Sequence, residues 1–221
     1  MFFLRKSITC PLLYQEIPLS TPLEELKFVV FDTETTGFEI ATSDRLIEIG
    51  AVLVEGFKVD EASSFQTYVN PSRQISREIT ELTSISNEQV AGAPSAFEAI
   101  SDFFSYVREQ ETVSLVGHYV SFDALVLKNE LKREKHGLKE TFTIDTLDLI
   151  GFLAPSYDMR DLERYARAFG TRIYERHNAV GDAKTTAYLF VELIQQFRDR
   201  GYRTWGELVK ATESQARSLQ L

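Results

Sequence analysis

The sequence predicts one α/β domain with a short extension at each end. Segments with strand patterns and short links open the domain, and further strands then alternate with helices. A length of 221 residues is enough for one sizeable domain and too short for two ordinary ones. We expect an N-terminal arm over residues 1–26, the main domain over 27–200 and a helical extension over 201–221.

Five strands are predicted from short segments rich in β-branched and aromatic residues that end at turn signals. The first is an uninterrupted apolar run that leads straight into a polar turn, which is typical of a buried strand. Short links join the first three, and this favours a meander on one side of a sheet. The predicted strands cover residues 28–31, 45–54, 64–69, 112–117 and 141–146.

Helices are predicted from apolar side chains at three- and four-residue spacing and from capping residues. Ser76 and Ser121 are expected to cap helices and Asn87 to cap a further turn, while Pro94 opens a longer helix. The stretch 204–221 is weakly amphipathic. The other predicted helices cover residues 76–82, 121–135, 146–153, 159–169 and 179–199.

The composition bears on the compartment and on membrane contact. Cys10 is the single cysteine, so no disulfide forms within the chain, which suits a reducing cytoplasm. No apolar run approaches the roughly 20 residues needed to span a bilayer, so we expect no membrane partner. The apolar residues 2–4 precede Arg5 and Lys6, the wrong order for a targeting signal. We expect the N-terminus to be an arm or short helix that packs on the domain or on a partner.

Two acids, Asp32 and Glu34, lie where the first predicted strand ends. Side chains two apart on extended backbone leave the same face, so both carboxylates converge on one spot. Like charges this close repel and raise one pKa unless a cation lies between them, and oxygen ligands suit Mg²⁺ or Mn²⁺. The alternative is that both acids only hydrogen-bond a turn that ends at Gly37.

Two later segments place acids and a histidine at the starts of helices. Asp123 lies in the first turn of one helix, and Asp182 enters the last long helix behind His177 on the preceding loop. Each segment alone is a weak signal, because an acid near a helix start usually caps the helix or interacts with its dipole. The order and spacing of the three segments together are a strong signal.

The three segments resemble the motifs of the DEDDh exonuclease family, which includes the epsilon proofreading subunit of bacterial replicative polymerase, ribonuclease T and oligoribonuclease. The resemblance covers roughly residues 28–197 and includes the spacing between segments. His177 lies five residues before the last acid. The sister group would need a tyrosine at position 178 or 179, where this chain has Asn178 and Ala179.

The resemblance implies a ribonuclease H-like fold, a five-stranded mixed sheet with an antiparallel second strand and helices on both faces. It implies two divalent ions, Mg²⁺ or Mn²⁺. Asp32 matches the acid that bridges them, Glu34 and Asp182 match the other ligands of the first, and Asp123 matches the acid that holds the second. His177 matches the general base.

The resemblance also suggests substrate contacts. Thr35, Thr36 and Gly37 match the turn whose backbone lies against the terminal nucleotide. Phe122 is expected either to stack on a base or to pack in the core. His118 is expected to have a structural role, and Asp145 is expected to cap a helix. A run of basic residues on the helix after Asp123 is expected to be a solvated face or to follow the nucleic-acid backbone. This run consists of Lys128, Lys132, Arg133 and Lys135.

The function implied is a metal-dependent 3′→5′ exonuclease that releases nucleoside 5′-monophosphates from single-stranded or frayed DNA, with proofreading as its setting and a DNA polymerase subunit as a partner. A net charge of −9 argues against a broad contact with duplex DNA and is compatible with a grip on the last few nucleotides. The alternatives are an exoribonuclease that trims RNA 3′ ends, and a non-catalytic module that binds a 3′ end or a polymerase.

Overall fold

A computed structural model describes residues 6–13, 16–139, 141–156 and 160–216 of the chain. Within these ranges a five-stranded sheet forms the centre of the molecule, and a two-stranded sheet lies beside it. The strands are β1 (Lys6–Ile8), β2 (Lys27–Thr35), β3 (Leu46–Glu55), β4 (Lys58–Tyr68), β5 (Ser114–Gly117), β6 (His136–Leu138) and β7 (Thr143–Asp145).

The five-stranded sheet is mixed, with the strand order β4–β3–β2–β5–β7. β3 runs antiparallel to both of its neighbours, while β5 runs parallel to β2 and to β7. The predicted α/β fold with an antiparallel second strand is therefore confirmed. β4 begins at Lys58 rather than at residue 64, and a shift in its register with β3 accommodates the extra length.

Helices cover both faces of this sheet. The helices are α1 (Arg77–Thr83), α2 (Asn87–Ala91), α3 (Ala96–Glu109), α4 (Val120–Arg133), α5 (Thr146–Leu153), α6 (Leu162–Ala168), α7 (Ala179–Asp199) and α8 (Trp205–Ala216). α5 to α8 pack into one buried apolar cluster, and α3 and α4 pack into another. None of these helices combines the length and hydrophobicity that a bilayer crossing requires.

β2 contributes alternate side chains to the two apolar clusters. Phe28 and Val30 belong to the cluster on the α7 side, whereas Val29 and Phe31 belong to the cluster on the α4 side. Successive side chains of a strand point to opposite faces, so the polar end of β2 continues the same alternation. Its acids therefore face α7, and the threonine between them faces α4.

Two of the predicted helix starts are wrong by one residue. Ser86 rather than Asn87 caps α2, and Ser95 rather than Pro94 begins the α3 turn. In both cases the serine hydroxyl accepts the backbone N–H of the third residue further on, and the side-chain oxygen of that residue accepts the backbone N–H of the serine. This reciprocal pair satisfies two backbone donors at once, which makes it a stronger start signal than the proline.

The predicted cap of α4 at Ser121 is wrong as well. The helix begins at Val120, behind Tyr119 in the left-handed conformation with φ of 59° and without a side-chain cap of its own. Asp145 from β7 instead accepts the N–H of Tyr119 at 3.2 Å and that of Val120 at 3.0 Å. The same carboxylate caps α5 through the N–H of Leu147, as expected. A carboxylate on the neighbouring strand thus serves two helix starts.

The described part of the N-terminal arm contains the strand β1 and one short 3-10 helix, Leu23–Glu25. β1 pairs in parallel with β6, and Cys10 is buried in the apolar cluster formed by α3 and α4. At the other end Trp205 of α8 is buried against Phe28 and Phe142. The predicted helix start at residue 159 lies outside the described residues, and α6 begins at Leu162. The division into segments at residues 27 and 200 stays a prediction.

α7 packs unusually close to β3 at Gly50. A Cβ atom added there would lie 2.2 Å from the carbonyl carbon of Ala179 and 2.2 Å from the amide nitrogen of Val180. Only a residue without a side chain allows this approach. The contact brings the first turn of α7 to the same end of the sheet as the polar end of β2.

We therefore expect Gly50→Ala to lower the free energy of unfolding by at least about 1–3 kcal/mol, because the added methyl group collides with helix backbone that cannot rotate away. Urea denaturation followed by circular dichroism measures this loss. Gly92→Ala is the matched control, since a Cβ there meets no atom within 4 Å. Equal stability of the two variants would contradict the close packing of α7 on β3.

Candidate metal centre

Three carboxylates meet where β2 ends. One oxygen atom from each of Asp32, Glu34 and Asp182 lies within 4.8 Å of the other two. The first two leave the same face of β2, and the third stands in the first turn of α7, which packs on that face. Asp182 is only 6% exposed. The structure thus assembles three of the four predicted acids into one group.

The fourth predicted acid, Asp123, reaches the same strand end from the opposite face. Its Oδ1 accepts the backbone N–H of Thr33 at 2.9 Å and the hydroxyl of Thr33 at 2.6 Å. Thr33 points towards α4, because it lies between the two acids on an alternating strand. Asp123 is outside the group of three, but its negative charge acts on Asp32 and raises the pKa of that carboxyl.

The pKa values of these acids are displaced upwards. Burial, followed by the charges of Asp123, Asp182 and Glu34, raises the pKa of Asp32 well above its ordinary value. Burial and neighbouring acids raise the pKa of Glu34 to about 8, and burial raises that of Asp123 to about 7. The cluster therefore has more negative charge than the surrounding protein balances. An all-oxygen donor set of this kind fits a divalent cation such as Mg²⁺ or Mn²⁺.

Arg176 and His177 border the cluster on the loop before α7. The Nη1 atom of Arg176 contacts Oδ1 of Asp182, and the backbone N–H of His177 donates to Oδ2 of Asp182 at 3.2 Å. The side chain of His177 is exposed, and its backbone is left-handed with φ of 58°. The predicted base is thus anchored next to the acids by its backbone, while its ring remains accessible.

The threonine side chains of the predicted substrate turn form hydrogen bonds within the protein. Thr35 donates its hydroxyl to the carbonyl of Gly37 at 2.7 Å, and Thr36 donates its hydroxyl to Oδ1 of Asp44 at 2.9 Å. Gly37 has a φ of 154°, which residues with a side chain rarely adopt, and a Cβ atom there would also lie 2.5 Å from Oδ2 of Asp44, so glycine suits this position. Both threonines are buried and Gly37 is half-buried, so Gly37 is the most accessible residue of the turn.

Two aromatic rings lie beside this turn. Phe122 is half-buried against the apolar cluster of α3 and α4, and its ring centroid is 6.0 Å from that of Phe38. Phe38 is 85% exposed. Both proposed roles of Phe122 therefore have a geometric counterpart, since its ring packs on the core and also on an accessible aromatic surface. Phe38 was not among the predicted residues, although a bulky apolar side chain directly after the turn glycine was a usable signal.

Glu48 is a second residue that the sequence reasoning missed. This carboxylate is fully buried on β3, opposite Glu34 in the strand register. It accepts the N–H of Ala179 at 2.9 Å and the side-chain amide of Gln66 at 2.6 Å. Glu48 therefore ties the start of α7 to the sheet. The signal was an acid in the otherwise apolar run of residues 46–54.

His118 and the basic run have mainly structural surroundings. Nδ1 of His118 lies 2.7 Å from the hydroxyl of Thr146, and burial lowers the pKa of the imidazole to about 4. This matches the expected structural role. In the basic run on α4, Arg133 is half-buried and donates to buried Glu130 at 3.0 Å, so it is not part of a solvated face. The exposed members are Lys128, Lys132 and Lys135.

Comparisons with known proteins agree with this arrangement. A family model described as an exonuclease matches residues 29–190. The DNA polymerase III PolC-type protein of Bacillus subtilis (strain 168) is 34% identical over 190 residues, which is 84% of this chain and 13% of that protein. The corresponding protein of Caldanaerobacter subterraneus subsp. tengcongensis is 35% identical over 185 residues, 83% of this chain and 13% of that protein. The chain thus spans about an eighth of the length of these relatives.

Solved structures share the fold at lower identity. Exonuclease X in complex with 5′ overhanging duplex DNA has a TM-score of 0.64 and 22% identity, covering 84% of this chain and 99% of that one. The nuclease domain of 3′hExo, a DEDDh family member bound to rAMP, has a TM-score of 0.67 and 22% identity, covering 76% and 92%. The chain therefore shares the fold of these two exonuclease structures. The chain belongs to the DEDDh 3′–5′ exonuclease family.

The raised pKa of Glu34 gives a pH-dependent stability. In metal-free protein the folded state keeps this proton up to a pH of about 8, whereas the unfolded chain releases it near its ordinary value of 4.5. Folding then binds a proton between these limits, so stability falls as pH rises through them. We expect Glu34→Gln to stabilise the metal-free protein at pH 8 more than at pH 5, as measured by thermal unfolding in EDTA.

The control for this comparison is Glu109→Gln, which changes an exposed carboxylate at the end of α3. It should leave the pH dependence of the wild type unchanged. A parallel pH dependence of Glu34→Gln and the wild type would contradict the raised pKa.

Proposed function

We propose that this chain is a metal-dependent 3′→5′ exonuclease that releases nucleoside 5′-monophosphates from the 3′ end of single-stranded or frayed DNA. The observation that carries the proposal is the convergence of Asp32, Glu34, Asp123 and Asp182 from three separate elements on one strand end. Burying so much like charge is unfavourable without cations. The exposed His177 at the border of the cluster supplies a proton acceptor.

The carboxylates fit two divalent ions, Mg²⁺ or Mn²⁺. Asp32, which feels the charges of all the other acids, would bridge the two ions. Glu34 and Asp182 would complete the first site, and Asp123 would hold the second. When bound, such ions make a water molecule more acidic and offset the charge on the leaving 3′ oxygen.

His177 would act as the general base. Its backbone N–H is held by Asp182, so the residue stays next to the acids while its imidazole is free to approach a water molecule. Neutral imidazole accepts a proton near physiological pH. The proton taken from the attacking water then leaves to solvent, to which this side chain is open.

The surface beside the acids suits an unpaired strand end. The hydroxyls of Thr35 and Thr36 are bonded to the Gly37 carbonyl and to Asp44, so a nucleotide would contact this turn through its backbone at the half-buried Gly37. Phe38 and Phe122 offer adjacent aromatic rings, and stacking on such rings accepts any base. We propose that the last bases of the strand stack on these rings while the terminal phosphodiester reaches the acids.

The match to PolC-type polymerases favours DNA as substrate, and with it proofreading beside a DNA polymerase in the cytoplasm. An exoribonuclease is the second candidate, because a neighbour of the same fold was solved with rAMP. A non-catalytic 3′-end module has less support, since such a module does not need the four acids and the histidine together. Digestion of matched single-stranded DNA, RNA and mispaired primers, with and without Mn²⁺, separates these candidates.

We expect Asp182→Ala to abolish Mn²⁺-dependent digestion of a 5′-labelled single strand, because it removes the ligand that α7 brings to the other acids. The variant should fold, since Asp182 belongs to a set of mutually repelling carboxylates. Asp199→Ala, at the exposed end of the same helix, is the control and should digest normally. Full activity of Asp182→Ala would exclude this site.

His177→Ala should slow digestion by about 10²–10⁴-fold, the usual loss for a general base. Metal binding should persist, because the contact of His177 with Asp182 is made by its backbone. Single-turnover digestion measures the rate, and calorimetry measures Mn²⁺ binding. His136→Ala, which alters a histidine stacked on Phe97, is the control. An unchanged rate across neutral pH would remove His177 from this role.

A further inference from the structure

Arg176 lies against the acid cluster, and the proposed reaction gives it no role. Its Nη1 contacts Oδ1 of Asp182, and its side chain is only 24% exposed. Its positive charge lowers the pKa of Asp32, of Glu34 and of Asp182, opposing the effect of burial in each case. The guanidinium therefore balances part of the negative charge that a bound metal would otherwise balance.

Other basic side chains of the same region are paired with a different carboxylate. Arg172, on the same loop, lies 3.5 Å from Glu61, and Lys184, on the first turns of α7, lies 3.6 Å from Glu61. Tyr174 and Tyr188 also donate to Glu61, at 2.6 Å and 2.8 Å. These contacts hold the loop against α7 and leave Arg176 as the loop arginine that reaches the acids.

Both oxygens of Asp182 are engaged in this arrangement. Oδ1 contacts the guanidinium of Arg176, and Oδ2 accepts the N–H of His177. A divalent cation that used Oδ1 of Asp182 as a ligand would approach the guanidinium, and two cations held that closely repel. Metal binding and the Arg176 contact therefore compete.

We propose that Arg176 is an internal counter-ion of the metal-free enzyme, which a divalent ion must displace from Asp182, so that this arginine sets the metal affinity of the site. The inference rests on the metal site of the proposed function. It assigns Arg176 a positioning role, since the side chain acts through Asp182 and need not touch the substrate. Because Arg176 stabilises only the metal-free state, its contact with Asp182 lowers the apparent affinity of the site for the divalent ion.

Calorimetric titration of the full chain with Mn²⁺, without nucleic acid, tests the proposal. We expect Arg176→Ala to bind Mn²⁺ about tenfold more tightly than the wild type, within the usual range for coupled sites. The same variant should unfold at a lower temperature in EDTA at pH 8, because its acids lose their counter-ion. Arg176→Lys should stay close to the wild type, because it keeps the charge.

Arg167→Ala is the matched control, because Arg167 also pairs with a carboxylate but does so on the exposed surface of α6. Its Mn²⁺ affinity and its melting temperature in EDTA should both stay close to those of the wild type, in contrast to those of Arg176→Ala. Arg176→Gln keeps most of the side-chain volume and provides the same measurement where the alanine variant fails to fold.

The outcomes separate this inference from the proposed function. Equal or weaker Mn²⁺ binding by Arg176→Ala and Arg176→Gln, with a wild type that binds, overturns the counter-ion and leaves the metal site standing. Absence of Mn²⁺ binding in the wild type and in every variant overturns both. Tighter binding by the neutral variants alone, with loss of binding in Asp182→Ala, supports both.

Discussion

Repulsion between the carboxylates at the end of β2, two of them buried and two half-buried, is the constraint on which the rest of the structure depends. Burial is the largest cause of the raised pKa of Asp32, and the charges of three other acids add to it. An unpaired buried charge is among the least favourable features that a fold can contain. The protein tolerates this arrangement because Arg176 balances part of the charge and because protons occupy some of the carboxylates. Such a site suits cations, and we expect it to lower the stability of the protein in their absence.

The geometry of one strand explains how the acids come together. β2 alternates, so its acids face α7 and Thr33 faces α4. The helices α4 and α7 lie on opposite faces of the sheet, and the acid in the first turn of each reaches the same end of β2. Gly50 and Glu48 hold the start of α7 in place, one by the absence of a side chain and one by a buried carboxylate. A site of this kind needs elements that are distant in sequence, and the sheet brings them together at the end of its central strand.

The sequence predicted those features that depend on local pattern. The apolar runs of the central strands, the acids at their ends and the cap at Asp145 all carry a signal within a few residues. It did not predict pairing of the three-residue strands β1 and β6, which are too short to show alternation. Nor did it reveal that Asp145 supports the start of α4, or that Arg176 pairs with Asp182. Those contacts depend on tertiary packing, which the spacing of residues in a single sequence does not predict.

The most direct test of the account is the anomalous scattering of Mn²⁺ in a crystal of the full chain soaked with the metal. We expect two peaks at the end of β2, with Asp32 contacting both, Glu34 and Asp182 contacting one and Asp123 contacting the other. The guanidinium of Arg176 should have left Oδ1 of Asp182. Absence of any peak among these carboxylates at saturating Mn²⁺ would contradict the claim that the acids are assembled to bind metal.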